Sequence, residues 1–424
     1  MARSERRVID AAEGPGDHDL WGFLVSARRC LARLQPAGHE DSETMKFPGE
    51  GKLRVGFDIS STLGRRPRGI ASYIHSLLPA LARSAPHVEP ILFIRDERWF
   101  RRRAVAELLP DAKRRWLLPL LGASRRTVDV FHGMGTHLPA GGGPARSFTL
   151  HDLREFDTGE VEPSPDGKTG CGRKERTARL ADRILAISHH CKARLLHHLP
   201  GLDPDSIEVI HHGVDHSRFF PREPGEQKAC LERAGIQGPF FIQVGSFFPH
   251  KNLELSLRAF AQSHAPAEGF RLVLAGGGGS REYRKQLTEL QDSLSLNESV
   301  VWIEDLSSEI LPIIVSAARG LLMPSRYEGF GLPVLEAMAS GVPGVTSNST
   351  SLPEVGGGVW DCTEVDDVDG FAEAINTLAL NDEEHAVRAE AGLAHSQGFT
   401  WEKTARQTAA FLGRVHDVVR GTRS

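Results

Sequence analysis

The residues with the strongest claim to chemistry lie in 325–345, SRYEGFGLPVLEAMASGVPGV. Glu328 and Glu336 stand on either side of the turn Gly329-Phe330-Gly331-Leu332-Pro333. A glycine-rich turn that feeds a helix presents unpaired backbone N–H groups and the positive end of the helix dipole, a ready place for an anion such as diphosphate. Two carboxylates beside such a site would repel phosphate, so Glu328 and Glu336 are better suited to accept hydrogen bonds from sugar and ribose hydroxyls. Pro333 has its φ already fixed for a first helical position, Val334, Leu335, Ala337 and Met338 continue an apolar helix, and Gly341-Val342-Pro343 stops it. The bland alternative is a glycine-capped buried helix, since two glutamates at this spacing arise often by chance.

Two runs of strand–loop–helix units are needed to position this stretch. Residues 52–59 (KLRVGFDI) read as a buried strand, followed by a glycine-containing loop and a helix with Ile70, Ile74, Leu77, Leu78 and Leu81 on one face. Gly69 at the helix start allows close approach of a phosphate, or simply makes a tight turn. Strands are expected at 90–94, 128–132 and 147–151. The last ends in His151-Asp152, where strand C-termini of an open parallel sheet line a ligand crevice. Segment 153–176 lacks periodicity and reads as a mobile loop over the cleft; its DGKT is not a phosphate-binding motif. Residues 178–187 lead, through Ser188 as a cap, into a helix, and 207–210 form another strand. The second run begins with a strand at 240–244, a loop Gly245-Ser246-Phe247-Phe248-Pro249-His250-Lys251-Asn252, and a helix face of Leu253, Leu257 and Phe260. Strands follow at 271–275, 300–303 and 320–323. The expected organisation is an extension over 1–50, a Rossmann-like domain over 51–212, a linker over 213–224, a second Rossmann-like domain over 225–395, and a helical tail over 396–424.

Composition narrows the classes. A chain of 424 residues accommodates two full cores, and a formal net charge of −4 gives no electrostatic case for nucleic acid. Five scattered cysteines without C-x-x-C read as reduced thiols in the cytoplasm, not as a disulfide framework or zinc site. No apolar run is long enough to span a membrane. Residues 20–34 (LWGFLVSARRCLARL) form a basic amphipathic stretch, which is either an accessory helix or a peripheral contact with the inner face of a membrane.

Taken whole, 325–345 resembles the E-x7-E signature of retaining glycosyltransferases of family 4, which have the GT-B fold: α/β, two Rossmann-like domains facing across a cleft. The likeness runs from about residue 53 to 412 and is nearest to bacterial surface-polysaccharide mannosyltransferases. It implies that Glu336 holds the ribose, that Glu328 lies by the donor sugar, and that Phe330, Gly331 and Leu332 offer N–H groups. It also implies that Lys251 neutralises the diphosphate, that His151 stands near the transferred sugar and acceptor, and that the tail helix crosses back onto the first domain. The chain departs from the family where Ser246 and His250 replace arginines common in relatives, and where His212 replaces the asparagine of N-G-V-D. One permanent positive charge is therefore missing, which either weakens donor binding or makes it pH-dependent through His250.

The donor side is accordingly Gly69, Gly245, Ser246, His250, Lys251, Glu328, Gly329, Phe330, Gly331, Leu332 and Glu336; the catalytic candidates are His151, Glu328 and Lys251. Lys251, the helix N-terminus and Gly69 can stabilise a leaving diphosphate without a metal, and Asp367-Val368-Asp369 reads as a solvated turn. No cofactor is expected. The expected partners are a nucleotide-sugar donor, GDP-mannose first, and a glycan or lipid-linked acceptor. A carboxylate at Glu304-Asp305 accepts from guanine or, equally well, faces away. A UDP-hexose or UDP-N-acetylhexosamine transferase, a phosphorylase or epimerase of the same fold, and a catalytically silent binding homologue are the alternatives.

Overall fold

In the computed structural model, the described residues are 51–63, 69–95, 98, 103, 105, 107–117, 127–139, 143–159, 170–304 and 306–421. The 1–50 extension with its 20–34 stretch, the DGKT tetrapeptide and Asp305 lie outside them. Two all-parallel sheets carry the chain. The first has the order β3-β2-β1-β4-β5-β6-β7, with β1 Leu53–Asp58, β2 Val88–Arg95, β3 Lys113–Leu117, β4 Val130–Gly133, β5 Ala145–Leu150, β6 Arg183–Ala186 and β7 Ile207–Val209. The second has the order β10-β9-β8-β11-β12-β13, with β8 Phe240–Ser246, β9 Arg271–Gly277, β10 Val300–Glu304, β11 Gly320–Met323, β12 Gly344–Ser347 and β13 Asp361–Thr363.

Central strands are mostly buried because helices cover both faces of a parallel sheet. All four residues of β11 (GLLM) and five of six in β1 are buried. The helix Ile70–Ser84 buries Ile74, Leu77, Leu78 and Leu81, the face expected from its spacing. The last helix, Trp401–Gly421, returns to the first sheet and packs on Ile70–Ser84 and β5. Phe411, Leu412 and Val415 are fully buried there, and Arg83 pairs with Glu402 at 3.0 Å. Next to this return, Val214 bridges to Thr400.

Three sequence expectations change. Segment 153–176 is not a featureless loop: helices span Arg154–Thr158 and Gly170–Leu180. Asp152 ties both down, accepting from the Arg154 N–H at 3.3 Å and from Lys174 at 2.7 Å. Residues 178–187 hold the end of that second helix and β6. The helix Pro224–Ala234 begins on the last residue assigned to the linker, with proline in its first turn, where no N–H is needed. Among the described residues no helix is long and apolar enough to cross a membrane.

Candidate active site

The signature loop leaves β11 and enters the helix Leu332–Ala339 through Gly331, whose φ of 110° belongs to the region glycine favours. Side chains from the following segment fix the loop. Thr350 Oγ1 accepts from the Glu328 N–H at 3.0 Å, and Ser351 Oγ lies 3.0 and 2.8 Å from the Glu328 and Phe330 carbonyls. The N–H groups of Gly329, Phe330, Gly331 and Leu332 make no hydrogen bond among the described residues. They lie at the N-terminal end of that helix, where a helix dipole is positive.

Lys251 closes a short turn, Pro249–Lys251, which follows β8. Gln243 donates to the Lys251 carbonyl at 2.7 Å, and buried Asn252 donates to the Pro324 and Val365 carbonyls at 3.1 and 2.7 Å. The lysine turn is therefore bolted to the base of the signature loop. Its ammonium pairs with Glu328, and both side chains are largely buried. A buried pair of this kind is costly to break one-sidedly. The lysine stem passes 3.5 Å from where a Cβ on Gly245 would stand, and Ser246 ends the strand beside it.

His250 is corrected. Burial first, then the positive charges of Lys251 and Arg154, push its pKa down to about 4. It is therefore neutral across the physiological range and is not the pH-responsive group its position suggested. Glu336 takes that role: burial, opposed by Arg218, raises its carboxyl to about 7. The Glu336 carboxylate has no hydrogen-bond or ion-pair partner among the described residues. The two glutamates thus share the signature stretch but not an environment, one on the loop and paired with Lys251, the other on the helix with its carboxylate unpartnered near Arg218.

His151 lies just past β5, and its surroundings are aromatic. The Tyr73 ring meets it edge-on at 5.0 Å and the His212 ring lies at 5.8 Å. Nε2 is 2.9 Å from the Met134 carbonyl, which can only accept, so Nε2 carries the proton and Nδ1 the lone pair. Burial keeps the ring neutral, against the Met134 contact and Asp152. Asp152 itself pairs with Lys174, so His151-Asp152 is no catalytic dyad. Beneath lies a second neutral histidine, His132, held by Ser147 at 2.8 Å and Thr149 at 2.9 Å, with Thr149 bonded to Tyr73 at 3.0 Å. Burial and then His151 push the His132 pKa down to about 3.

The two halves meet at Gly329. A Cβ there would collide with the His151 carbonyl, so only glycine lets the loop approach so closely. Ser188, which caps the helix His189–His198 by accepting from the Cys191 N–H at 3.1 Å, also donates to the Gly329 carbonyl at 2.9 Å. Tyr327 accepts from the Leu153 N–H at 3.2 Å and donates to Asp157 at 3.0 Å. Glu354 accepts from the His189 and His190 N–H groups at 2.8 and 3.3 Å and from His211 at 2.6 Å. Sequence reasoning found Ser188 only as a cap and gave Tyr327 and Glu354 no role. Their one visible signal was membership of the signature stretch and of the LPE that follows it. Gly69 heads the Ile70–Ser84 helix with φ of 42° and open space where a side chain would be.

Comparisons with known proteins cover both halves of the chain. Residues 67–218 match the family described as Glycosyltransferase Family 4, and residues 233–394 match Glycosyl transferases group 1. The chain is 30% identical to O-antigen chain mannosyltransferase B of Escherichia coli, over 66% of this chain and 72% of that protein. It is 28% identical to alpha-maltose-1-phosphate synthase of Mycolicibacterium smegmatis, over 63% of this chain and 72% of that one. HepE of Anabaena, solved with UDP-glucose, superposes with a TM-score of 0.67 at 17% identity, covering 85% of this chain and all of that one. The last likeness carries the fold, GT-B. With both halves matched and the mannosyltransferase covered over more than two thirds of its length, the chain belongs to glycosyltransferase family 4.

Proposed function

We propose that this glycosyltransferase moves a hexose from a nucleotide-sugar donor to a glycan or lipid-linked acceptor with retention of configuration and without an obligatory metal. The observation that carries the reading is the Gly329 contact, which sets unbonded loop N–H groups and the Lys251–Glu328 pair against the end of β5 where His151 stands. In the reaction the bond between the sugar C1 and the diphosphate oxygen breaks, a bond from C1 to an acceptor hydroxyl oxygen forms, and the hydroxyl proton passes to the leaving phosphate. Negative charge grows on the diphosphate, and preorganised donors aimed at that charge lower the barrier most. Lys251 supplies one by exchanging Glu328 for phosphate, and the N–H groups of 329–332 supply the others. Glu328, so released, accepts from the sugar hydroxyls; Glu336 accepts from the ribose. His151 faces the acceptor. Asp367, the first acid of Asp367-Val368-Asp369, caps a helix by accepting from the Gly370 N–H at 2.9 Å, and Asp369 accepts from Gln262 at 2.5 Å. Both are occupied as structural groups.

GDP-mannose is the donor proposed first, on the likeness to the E. coli mannosyltransferase. The carboxylate argument for guanine loses weight, because Glu304 pairs with Arg284 at 3.4 Å. A UDP-hexose or UDP-N-acetylhexosamine is the second reading, favoured by the UDP-glucose bound to HepE. A panel of nucleotide sugars, read by mass spectrometry for hydrolysis and transfer, tests the proposal. Consumption of one donor supports it, and inertness toward every donor overturns it. Stronger product inhibition by UDP than by GDP would overturn the mannose assignment alone.

A further inference from the structure

His189, His211 and Glu354 converge from three separate stretches. His189 opens the helix His189–His198, His211 follows β7, and Glu354 sits in the helix Leu352–Gly356 of the second half. One ligand atom of each lies within 4.8 Å of the other two. Two imidazoles and a carboxylate are the donor set of a three-ligand zinc site that keeps a fourth position for water. We propose that these residues bind a zinc-class divalent cation that cross-links the two halves of the chain and takes no part in sugar transfer.

Metal-bound imidazole nitrogens and carboxylate oxygens at about 2.0–2.2 Å stand roughly 3.3–3.6 Å apart around a tetrahedral zinc, so the 2.6 Å contact between His211 and Glu354 must open while His189 turns in from within 4.8 Å, both by side-chain rotation. His189 is exposed and its ring makes no hydrogen bond among the described residues, so it is free to turn inward. The other two are already oriented. The N–H groups of His189 and His190 hold the Glu354 carboxylate, as hydrogen bonds to metal-ligating carboxylates commonly do. Phe330 and Phe399 flank the His211 ring at 5.8 and 5.9 Å. The 2.6 Å contact between His211 Nε2 and Glu354 holds a shared proton, and a cation takes that proton's place.

The chain has 19 histidines, so zinc scattered over other imidazoles is the outcome to exclude. The test titrates zinc chloride into the full chain against a chromophoric competitor, with cobalt(II) absorption reporting coordination geometry. The expected result is one equivalent bound with tetrahedral cobalt bands, at least about tenfold weaker binding in His189→Ala and in His211→Gln, and a zinc-dependent rise in melting midpoint in the unsubstituted chain only. Melting in chelator checks that each variant is folded; the exposed position of His189 makes that variant the safer one. No binding to the unsubstituted chain, or variants that bind zinc as tightly as the unsubstituted chain, would overturn the site.

Discussion

The ends of the two sheets meet the same cleft with opposite chemistry. At the ends of β4, β5 and β7 the first sheet presents neutral rings: His132, His151 and His212, all with pKa values lowered chiefly by burial, packed with Tyr73, Trp401 and Phe330. Past β8 and β11 the second sheet presents charge: Lys251, Glu328, Glu336 and a row of unbonded N–H groups. The contrast assigns work. A wall that holds a polyanionic donor needs fixed charge, whereas a wall beside a neutral hydroxyl needs shape and a lone pair such as that on His151 Nδ1.

The largest effect that division requires is on the charged side. Lys251→Ala and Glu336→Ala should each lower turnover by about 100-fold or more while melting stays cooperative, the usual scale for one preorganised group. Steady-state rates near those of the unsubstituted enzyme in a folded variant would erase the distinction between the walls. On the neutral side, His151→Ala should lower transfer roughly tenfold to a hundredfold while calorimetric nucleotide affinity changes little. Lost affinity with unchanged turnover at saturation would place His151 on the donor wall.

The sharpest test inside the charged wall separates its two glutamates. Glu336 titrates near 7 in the folded chain against 4.5 for an ordinary glutamate, so the folded state holds an extra proton between those values. Its contribution is thus least unfavourable below about pH 4.5, and stability is lost as pH rises toward 7 and beyond. Glu336→Gln removes that penalty and should stabilise the protein at pH 8 by about 1–3 kcal/mol, fading toward pH 5. Equal denaturation midpoints for the two proteins at pH 8 would refute the burial of an unpartnered carboxylate. The smallest expected effect is that of excess chelator, which should leave transfer unchanged. Full loss, restored by magnesium or manganese, would show that Lys251 and the loop N–H groups do not carry the charge.

How much of this was readable without coordinates differs between elements for physical reasons. β1, β8 and β11 were legible because interior parallel strands are unbroken apolar runs. β3, KRRWL, was not: it lies at the sheet edge, with Lys113 and Arg115 exposed, so no hydrophobic pattern marks it. The helix Gly170–Leu180 (GCGRKERTARL) buries only Gly170, Thr177 and Ala178, too few to leave a period. Lys251 and Glu328 could each be placed from local strings, but their pairing could not, nor could Glu354 meeting the His189 N–H from 165 residues away. The reversal between His250 and Glu336 was also hidden, because burial sets both shifts and burial belongs to the folded chain.

The return of the helix Trp401–Gly421 onto Ile70–Ser84 has a consequence for how the protein is born. One face of the first sheet is completed by residues that leave the ribosome after all thirteen strands. A nascent chain carrying all seven strands of that sheet still has the surface that will receive Phe411, Leu412 and Val415 open to water. Contacts of such sequence separation form late and slow folding, and an apolar face exposed meanwhile invites aggregation. The first half is thus a spatial unit that cannot mature ahead of the second, and translation must pass the whole second sheet before the first wall of the cleft stands on a finished core.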